Sequence, residues 1–295
     1  MCEPITKRIA RIAISIFLVA MLANCSGLFF YPYRGHLQTP DQLGLVYEDI
    51  DLKAADGVQL HAWFLPAKGP VRGTVYYLHG NGENISTHIH SVRWLPDEGY
   101  NVLLLDYRGY GLSEGEAALP GALWDIKAGL QWLLEQRDIA DKPLYLLGQS
   151  LGASLAVYFA ATDEQARQYL NGVVSDAAFT RYSDIVRHVA ASNWLTWLFQ
   201  YPASWVVVKQ YDPIDYIARI TPLPLLLIHS RGDEIIPYQY GEQLYQAAVL
   251  PKQFLETRGF HGGTFNEASN RAVLLSFFEK HSSAVPARSL LSDQF

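Results

Sequence analysis

Cysteine is almost missing from this 295-residue chain: there are two, Cys2 and Cys25, both near the N-terminus. That placement excludes a disulfide framework and any cysteine-rich zinc site in the rest of the chain. Basic residues are also sparse, with 23 Lys and Arg against 29 Asp and Glu and a formal net charge of −6. Such a balance gives no electrostatic footprint for nucleic acid. Charged residues make up only 18% and hydrophobic ones 49%, so the chain has the apolar surface needed to offset chain entropy and is no disordered segment. The nine histidines form neither a His-x-x-x-His nor a His-Glu-x-x-His pattern. His88 and His90 stand two apart, where rings on a helix diverge. Neither a metal nor a cofactor is expected. Internal repeats and low-complexity linkers are lacking too, which leaves one domain from about Leu45 onward.

No uninterrupted apolar run reaches the roughly 20 residues of a bilayer span. The run from Ile12 to Leu22 follows the basic Lys7, Arg8 and Arg11, the layout of a signal-peptide core. Leu22-Ala23-Asn24-Cys25-Ser26 then resembles the cleavage and lipidation box of bacterial lipoproteins, with Asn24 where such boxes carry Gly, Ala or Ser. The resemblance implies lipidation of Cys25, a tether over 26–44 and a membrane-associated place in the cell envelope. An uncleaved signal anchor running on through Leu28, Phe29 and Phe30, or a plain apolar N-terminal helix, are the alternatives.

Beyond Leu45 two strand signals flank the turn residues Asp56-Gly57, namely Val46 to Lys53 and Val58 to Leu65. Four continuous apolar runs of strand length follow: Thr74 to Leu78, Asn101 to Leu105, Leu144 to Leu147 and Leu223 to Ile228. Gly172 to Ser175 is shorter and Gln253 to Glu256 weaker. Continuous rather than alternating runs are what a parallel sheet covered on both faces requires. Helical patterns over Ala122 to Gln136, Leu151 to Ala161, Gln239 to Val249 and Phe265 to His281 separate them. This alternation predicts an α/β fold, a mostly parallel doubly wound sheet with an antiparallel start. The stretch 179–211 breaks the rhythm with Trp194, Trp197, Phe199, Tyr201 and Trp205. It is read as a small helical cap insertion, and 282–295 as a C-terminal tail.

Sites in such sheets collect at the carboxyl ends of the strands. Gly148-Gln149-Ser150-Leu151-Gly152 falls there, between a strand and a helix, which is the setting of a nucleophile elbow. Ser150 is therefore the expected nucleophile; a helix-capping serine in a plain turn is the bland alternative. A serine hydroxyl needs a base, and the base needs an orienting carboxylate. Asp233 lies in the loop after the run ending at Ile228, and His261 in the glycine-flanked loop before the last helix. They follow Ser150 in the order of an α/β-hydrolase triad. Asp176 is the reserve acid, and Glu234 is expected to point elsewhere. The oxyanion would be held by the backbone N–H of Leu151 and, from the His79-Gly80-Asn81-Gly82 loop, that of Asn81. His79 is read as shaping that turn, and His36, His61, His88, His90, His188 and His229 as structural or surface groups. Asp106 and Arg108 are read as a structural ion pair or turn-stabilising set.

Taken together, His79-Gly80-Asn81-Gly82, Asp106-Tyr107-Arg108-Gly109-Tyr110-Gly111, Gly148-Gln149-Ser150-Leu151-Gly152, Asp212-Pro213 and Gly232-Asp233 with Pro237 resemble membrane-associated α/β hydrolases. These are relatives of the lysophospholipid, monoacylglycerol and protein-depalmitoylating hydrolases. The resemblance runs over 45–281 and implies an α/β-hydrolase domain, a Ser150–Asp233–His261 triad and an acyl-bonded substrate. It names no chain length. Three functions stay open: a carboxylic-ester or thioester hydrolase, a peptidase or acyltransferase with the same triad, and a non-catalytic envelope binding protein. Trp194 and Trp197 are candidates to line an acyl pocket under the cap, against ordinary core packing or membrane contact.

Overall fold

A computed structural model of the chain describes residues 30–192 and 209–282. Cys25, Trp194 and Trp197 lie outside the described residues, as do the whole signal segment 1–25 and all but the first residue of the C-terminal tail.

Eight strands form the central sheet: β1 Glu48–Lys53, β2 Gln59–Leu65, β3 Gly73–Leu78, β4 Tyr100–Leu105, β5 Leu144–Gln149, β6 Gly172–Asp176, β7 Leu225–Ser230 and β8 Lys252–Thr257. Their spatial order is β1-β2-β4-β3-β5-β6-β7-β8. β1 pairs antiparallel with β2 and β2 with β4, while every later neighbour is parallel. The longer helices are α1 Gly121–Glu135, α2 Leu151–Thr162, α3 Tyr182–Ser192, α4 Tyr238–Ala247 and α5 Ala268–Lys280.

The two faces of the sheet explain the continuous apolar runs. Along β3, Tyr76 and Leu78 enter one hydrophobic core while Val75 and Tyr77 enter the other. On β4, Leu103 and Leu105 divide in the same way from Val102 and Leu104. A period of two against two apolar layers demands an apolar residue at every position. The edge strands differ. β1 alternates buried and exposed, and β8 is half-buried over most of its length, which is why its sequence signal is weak.

The stretch 30–44 is folded onto the domain rather than standing off it. Phe30 is buried in one core, and Tyr31–Pro32 pairs in parallel with Gly82–Glu83, in the loop after β3. At the other opening, α3 leaves the sheet after β6. Arg181 reaches Asp212 (3.3 Å) and Asp215 (2.8 Å), and the Tyr182 N–H donates to Asp212 Oδ1 (2.9 Å). These contacts join described residues on either side of the Trp-rich stretch. Among the described residues no helix is long and apolar enough to cross a membrane.

Candidate active site

β5 ends at Gln149 and α2 begins at Leu151, so Ser150 makes the whole turn. Its backbone stands at φ 57°, ψ −117°, a conformation that costs a side-chain-bearing residue about 1–3 kcal/mol. The glycines on either side make the turn fit. A Cβ on Gly148 would run into the Gly152 backbone, and one on Gly152 into the Leu78 and His79 carbonyls at the end of β3. The strained turn is held by the Ser150 N–H, which donates to the Asp176 carbonyl at 2.8 Å. Elbow and flanking strands are thus locked, and Ser150 itself is only half-buried.

The loops after β7 and β8 meet at the same edge. His261 Nδ1 lies 2.7 Å from Asp233 Oδ2, with the carboxylate fully buried and the imidazole 12% exposed. Asp233 Oδ1 accepts from the Ile235 and Ile236 N–H groups at 2.9 and 2.8 Å. Burial pushes the Asp233 carboxyl up, but the His261 hydrogen bond and the two backbone donors outweigh it and hold the group below its ordinary value. Its Oδ2 hydrogen-bonds the His261 ring, with His229 Nε2 farther off at 3.7 Å. Asp176, the reserve acid, takes no hydrogen bond from His261. It is buried and accepts from Gln149 Nε2 (3.1 Å) and Thr264 Oγ1 (2.9 Å). Burial raises its carboxyl to about 6, with those two hydrogen bonds opposing the rise.

Gln149, the residue before the nucleophile in the elbow, joins the parts. Its Oε1 accepts from the Tyr77 hydroxyl (3.0 Å) and the Ser91 hydroxyl (3.2 Å). Its Nε2 donates to Asp176 and, at 3.5 Å, to the Gly262 carbonyl, one residue past His261. The elbow and the histidine loop are therefore tied side by side through one buried amide. Glu234 was expected to point away, but its carboxylate accepts from the His261 N–H at 3.2 Å. No local sequence pattern signals either contact, since both depend on how two loops meet.

The loop after β3 brings Gly80 against the elbow: a Cβ built there would lie 3.4 Å from the Ser150 Cβ and 2.9 Å from His88 Cε1. His88, read from sequence as structural or surface, thus sits beside the nucleophile, its Nε2 3.0 Å from the Gly82 carbonyl. His79 does shape the turn, with Nδ1 2.7 Å from the Gly80 carbonyl, and burial lowers its pKa to about 3. The Asn81 carbonyl accepts from the Tyr110 hydroxyl at 2.7 Å, and its Oδ1 from the Tyr31 N–H at 3.0 Å. Among the described residues neither the Asn81 nor the Leu151 amide N–H has a hydrogen-bond acceptor. For Leu151 this follows from its place in the first turn of α2, whose N–H groups have no partner within the helix.

One group of potential metal ligands occurs among the described residues: His36, His61 and Asp106, with ligand atoms within 4.8 Å of one another. Hydrogen bonds already engage it. His36 Nε2 lies 2.8 Å from Asp106 Oδ2, and His61 Nε2 lies 2.7 Å from Asp49 Oδ1. Asp106 and Arg108 do not pair with one another. Arg108 instead bridges Asp56 and Asp125, and Asp106 accepts from the Ile85 N–H.

A family model described as serine aminopeptidase, S33, matches residues 69–221. The chain is 31% identical over 263 residues to protein YfhR of Escherichia coli O157:H7, covering 86% of this chain and 88% of that one. It is 31% identical over 220 residues to the alpha/beta hydrolase domain-containing protein WAV2 of Arabidopsis thaliana, covering 72% and 70%. Among solved structures, the Pyrococcus furiosus esterase Pf2001 superposes with a TM-score of 0.69 at 23% identity, over 85% of this chain and 99% of that one.

Proposed function

The chain belongs to the serine aminopeptidase S33 family of α/β hydrolases, and on that premise we propose that it is a serine hydrolase of carboxylic-ester or thioester bonds in acyl substrates. The observation that carries the reading is the Asp233–His261 pair, whose histidine loop is tied through Gln149 to the strained Ser150. Ser150 Oγ attacks the acyl carbon as His261 Nε2 takes its proton. Asp233 holds the Nδ1 proton and so fixes the tautomer that leaves Nε2 free as base. The amides of Leu151 and Asn81 receive the oxyanion. His261 returns the proton to the leaving alcohol or thiol, and water then releases the acyl group by the same steps in reverse.

Two surface side chains support an acyl substrate. Ile235 and Phe260, near neighbours of the pair in sequence, are 48% and 61% exposed, apolar surface that an acyl chain would cover. Trp194 and Trp197 would extend that lining from the cap, whose two ends Arg181 and Asp212 fasten. The peptidase reading draws on the family's name, serine aminopeptidase. It requires an anion for the substrate's free amine, and the Glu234 carboxylate, which accepts from the His261 backbone N–H at 3.2 Å, is the candidate. A series of p-nitrophenyl esters and acyl thioesters of rising chain length, run beside aminoacyl p-nitroanilides, decides between them. Turnover of esters or thioesters that vanishes in Ser150→Ala supports the proposal. Turnover of the anilides alone refutes it.

The setting we infer is the membrane surface of the bacterial envelope, from the basic, apolar and Cys25-containing pattern of the N-terminus. Radiolabelled palmitate incorporated into the wild-type chain but not into Cys25→Ser tests this. Equal labelling of both, or of neither, refutes lipidation at Cys25.

A further inference from the structure

The loop from Gly80 to Ser86 supplies the Asn81 amide, yet it is not part of the central sheet. The segment 31–38 supports it. Tyr31–Pro32 runs parallel to Gly82–Glu83, and the Tyr31 N–H donates to Asn81 Oδ1 at 3.0 Å. Two turns further on, Asn84 Nδ2 donates to the Tyr33 and Gly35 carbonyls at 2.9 and 2.6 Å, while its Oδ1 caps Ser86 N–H at 2.9 Å. The Leu37 N–H donates to Ser86 Oγ at 3.1 Å. Between these contacts Glu83 is held at φ 61°, a left-handed backbone that a non-glycine residue keeps only when its surroundings impose it. Asn84 is fully buried, so without the carbonyls of segment 31–38 its amide would be an unpaired buried donor.

We propose that the segment Tyr31–Gln38 is a positioning element of the active site, fixing the Asn81 peptide so that its N–H faces the oxyanion. The inference rests on the serine-hydrolase reading for the meaning of that N–H. Asn81 is held from two sides: the Tyr31 N–H donates to its side chain, and the Tyr110 hydroxyl lies 2.7 Å from its carbonyl oxygen and 3.2 Å from its Oδ1. Only the first of these comes from the segment. The ring of Tyr31 is 68% exposed, so this residue contributes through its main chain.

Removal of the Tyr31 main-chain N–H, compared with removal of its ring alone, tests the proposal. Tyr31→Pro removes the donor to Asn81 Oδ1, and Tyr31→Ala removes only the exposed ring. Loss of an oxyanion donor costs about 10²–10³ in kcat, and a displaced donor costs part of that. The full-length Tyr31→Pro protein should show kcat at least tenfold below Tyr31→Ala, with KM within about twofold. Its affinity for an alkyl boronic acid, a mimic of the tetrahedral oxyanion, should fall in parallel while the melting temperature stays close to that of Tyr31→Ala. Hydrogen–deuterium exchange over 80–86 should be faster in Tyr31→Pro. Equal exchange in the two variants overturns the clamp, and faster exchange with unchanged kcat overturns its catalytic meaning. If the wild type turns over no ester at all, the serine-hydrolase reading has failed, and the exchange comparison still decides the clamp.

Discussion

Replacing Asp176 by Asn separates two carboxylates that the sequence left as rivals for one role. Asp176 is buried, with Gln149 Nε2 on one oxygen and Thr264 Oγ1 on the other. Burial lifts its carboxyl from 3.8 to about 6, which at about 1.36 kcal/mol per pKa unit is a penalty of about 3 kcal/mol on the folded anion. The folded state thus binds this proton more tightly than the unfolded chain does. The group's contribution is fully present below pH 4 and is lost as pH rises through about 6. Asn keeps the shape and both hydrogen bonds, its oxygen accepting from Gln149 and its Nδ2 donating to the Thr264 hydroxyl. Urea unfolding of both proteins between pH 4 and 8 should therefore show near-equal stability at pH 4. Asp176→Asn should gain steadily to about 3 kcal/mol above pH 7, all other groups cancelling in the difference. Because Asp176 does not touch His261, kcat should stay within a few fold of the wild type. A difference that is constant with pH, or a variant less stable at pH 8, would refute this account of the buried carboxyl. A collapse of kcat would make Asp176 the orienting acid.

Asp233→Asn should cut kcat by about 10⁴, since the amide leaves His261 in the wrong tautomer; steady-state kinetics at pH 7–8 checks it, and a loss under tenfold contradicts the assignment. Gly152→Ala should be poorly soluble or at least about 1–3 kcal/mol less stable by chemical denaturation, because its methyl meets the rigid Leu78 and His79 carbonyls. Gln149→Ala should leave Asp176 and the Gly262 carbonyl without their shared donor. We expect a fall in kcat exceeding the change in KM, with faster hydrogen exchange across 259–264; unchanged exchange would show that Gln149 does not hold the histidine loop.

Much of this was legible in the sequence because it is written in local patterns. The strands of the buried sheet announce themselves as unbroken apolar runs, and structure and reading differ there by a residue or two, as with Thr74 to Leu78 against Gly73–Leu78. The elbow is legible because only glycine permits the approach of α2 to β3 around Ser150. Asp233 and His261 are legible by order along the chain, and the structure pairs them at 2.7 Å. What was not legible depends on contacts between segments far apart. Gln149 reaches Gly262 across 113 positions, and Tyr31 reaches Asn81 across 50. The second contact is made by a backbone N–H that any non-proline residue carries, so no residue type could signal it. His88 was legible only as a structural or surface histidine, because its packing against Gly80 is a contact between two parts of the stretch after β3 that no pattern announces. Asp106 and Arg108, adjacent in one motif, turn to different partners because the loop between β4 and α1 points them apart.

The central claim is that Ser150 is a nucleophile activated by His261 and Asp233. Reaction of the folded full-length protein with a fluorophosphonate, followed by intact mass and peptide mapping, tests it most directly. The account predicts one adduct per chain, on Ser150, absent in Ser150→Ala and slowed by orders of magnitude in His261→Ala. A folded protein that takes no adduct, or carries it on another residue, would contradict it.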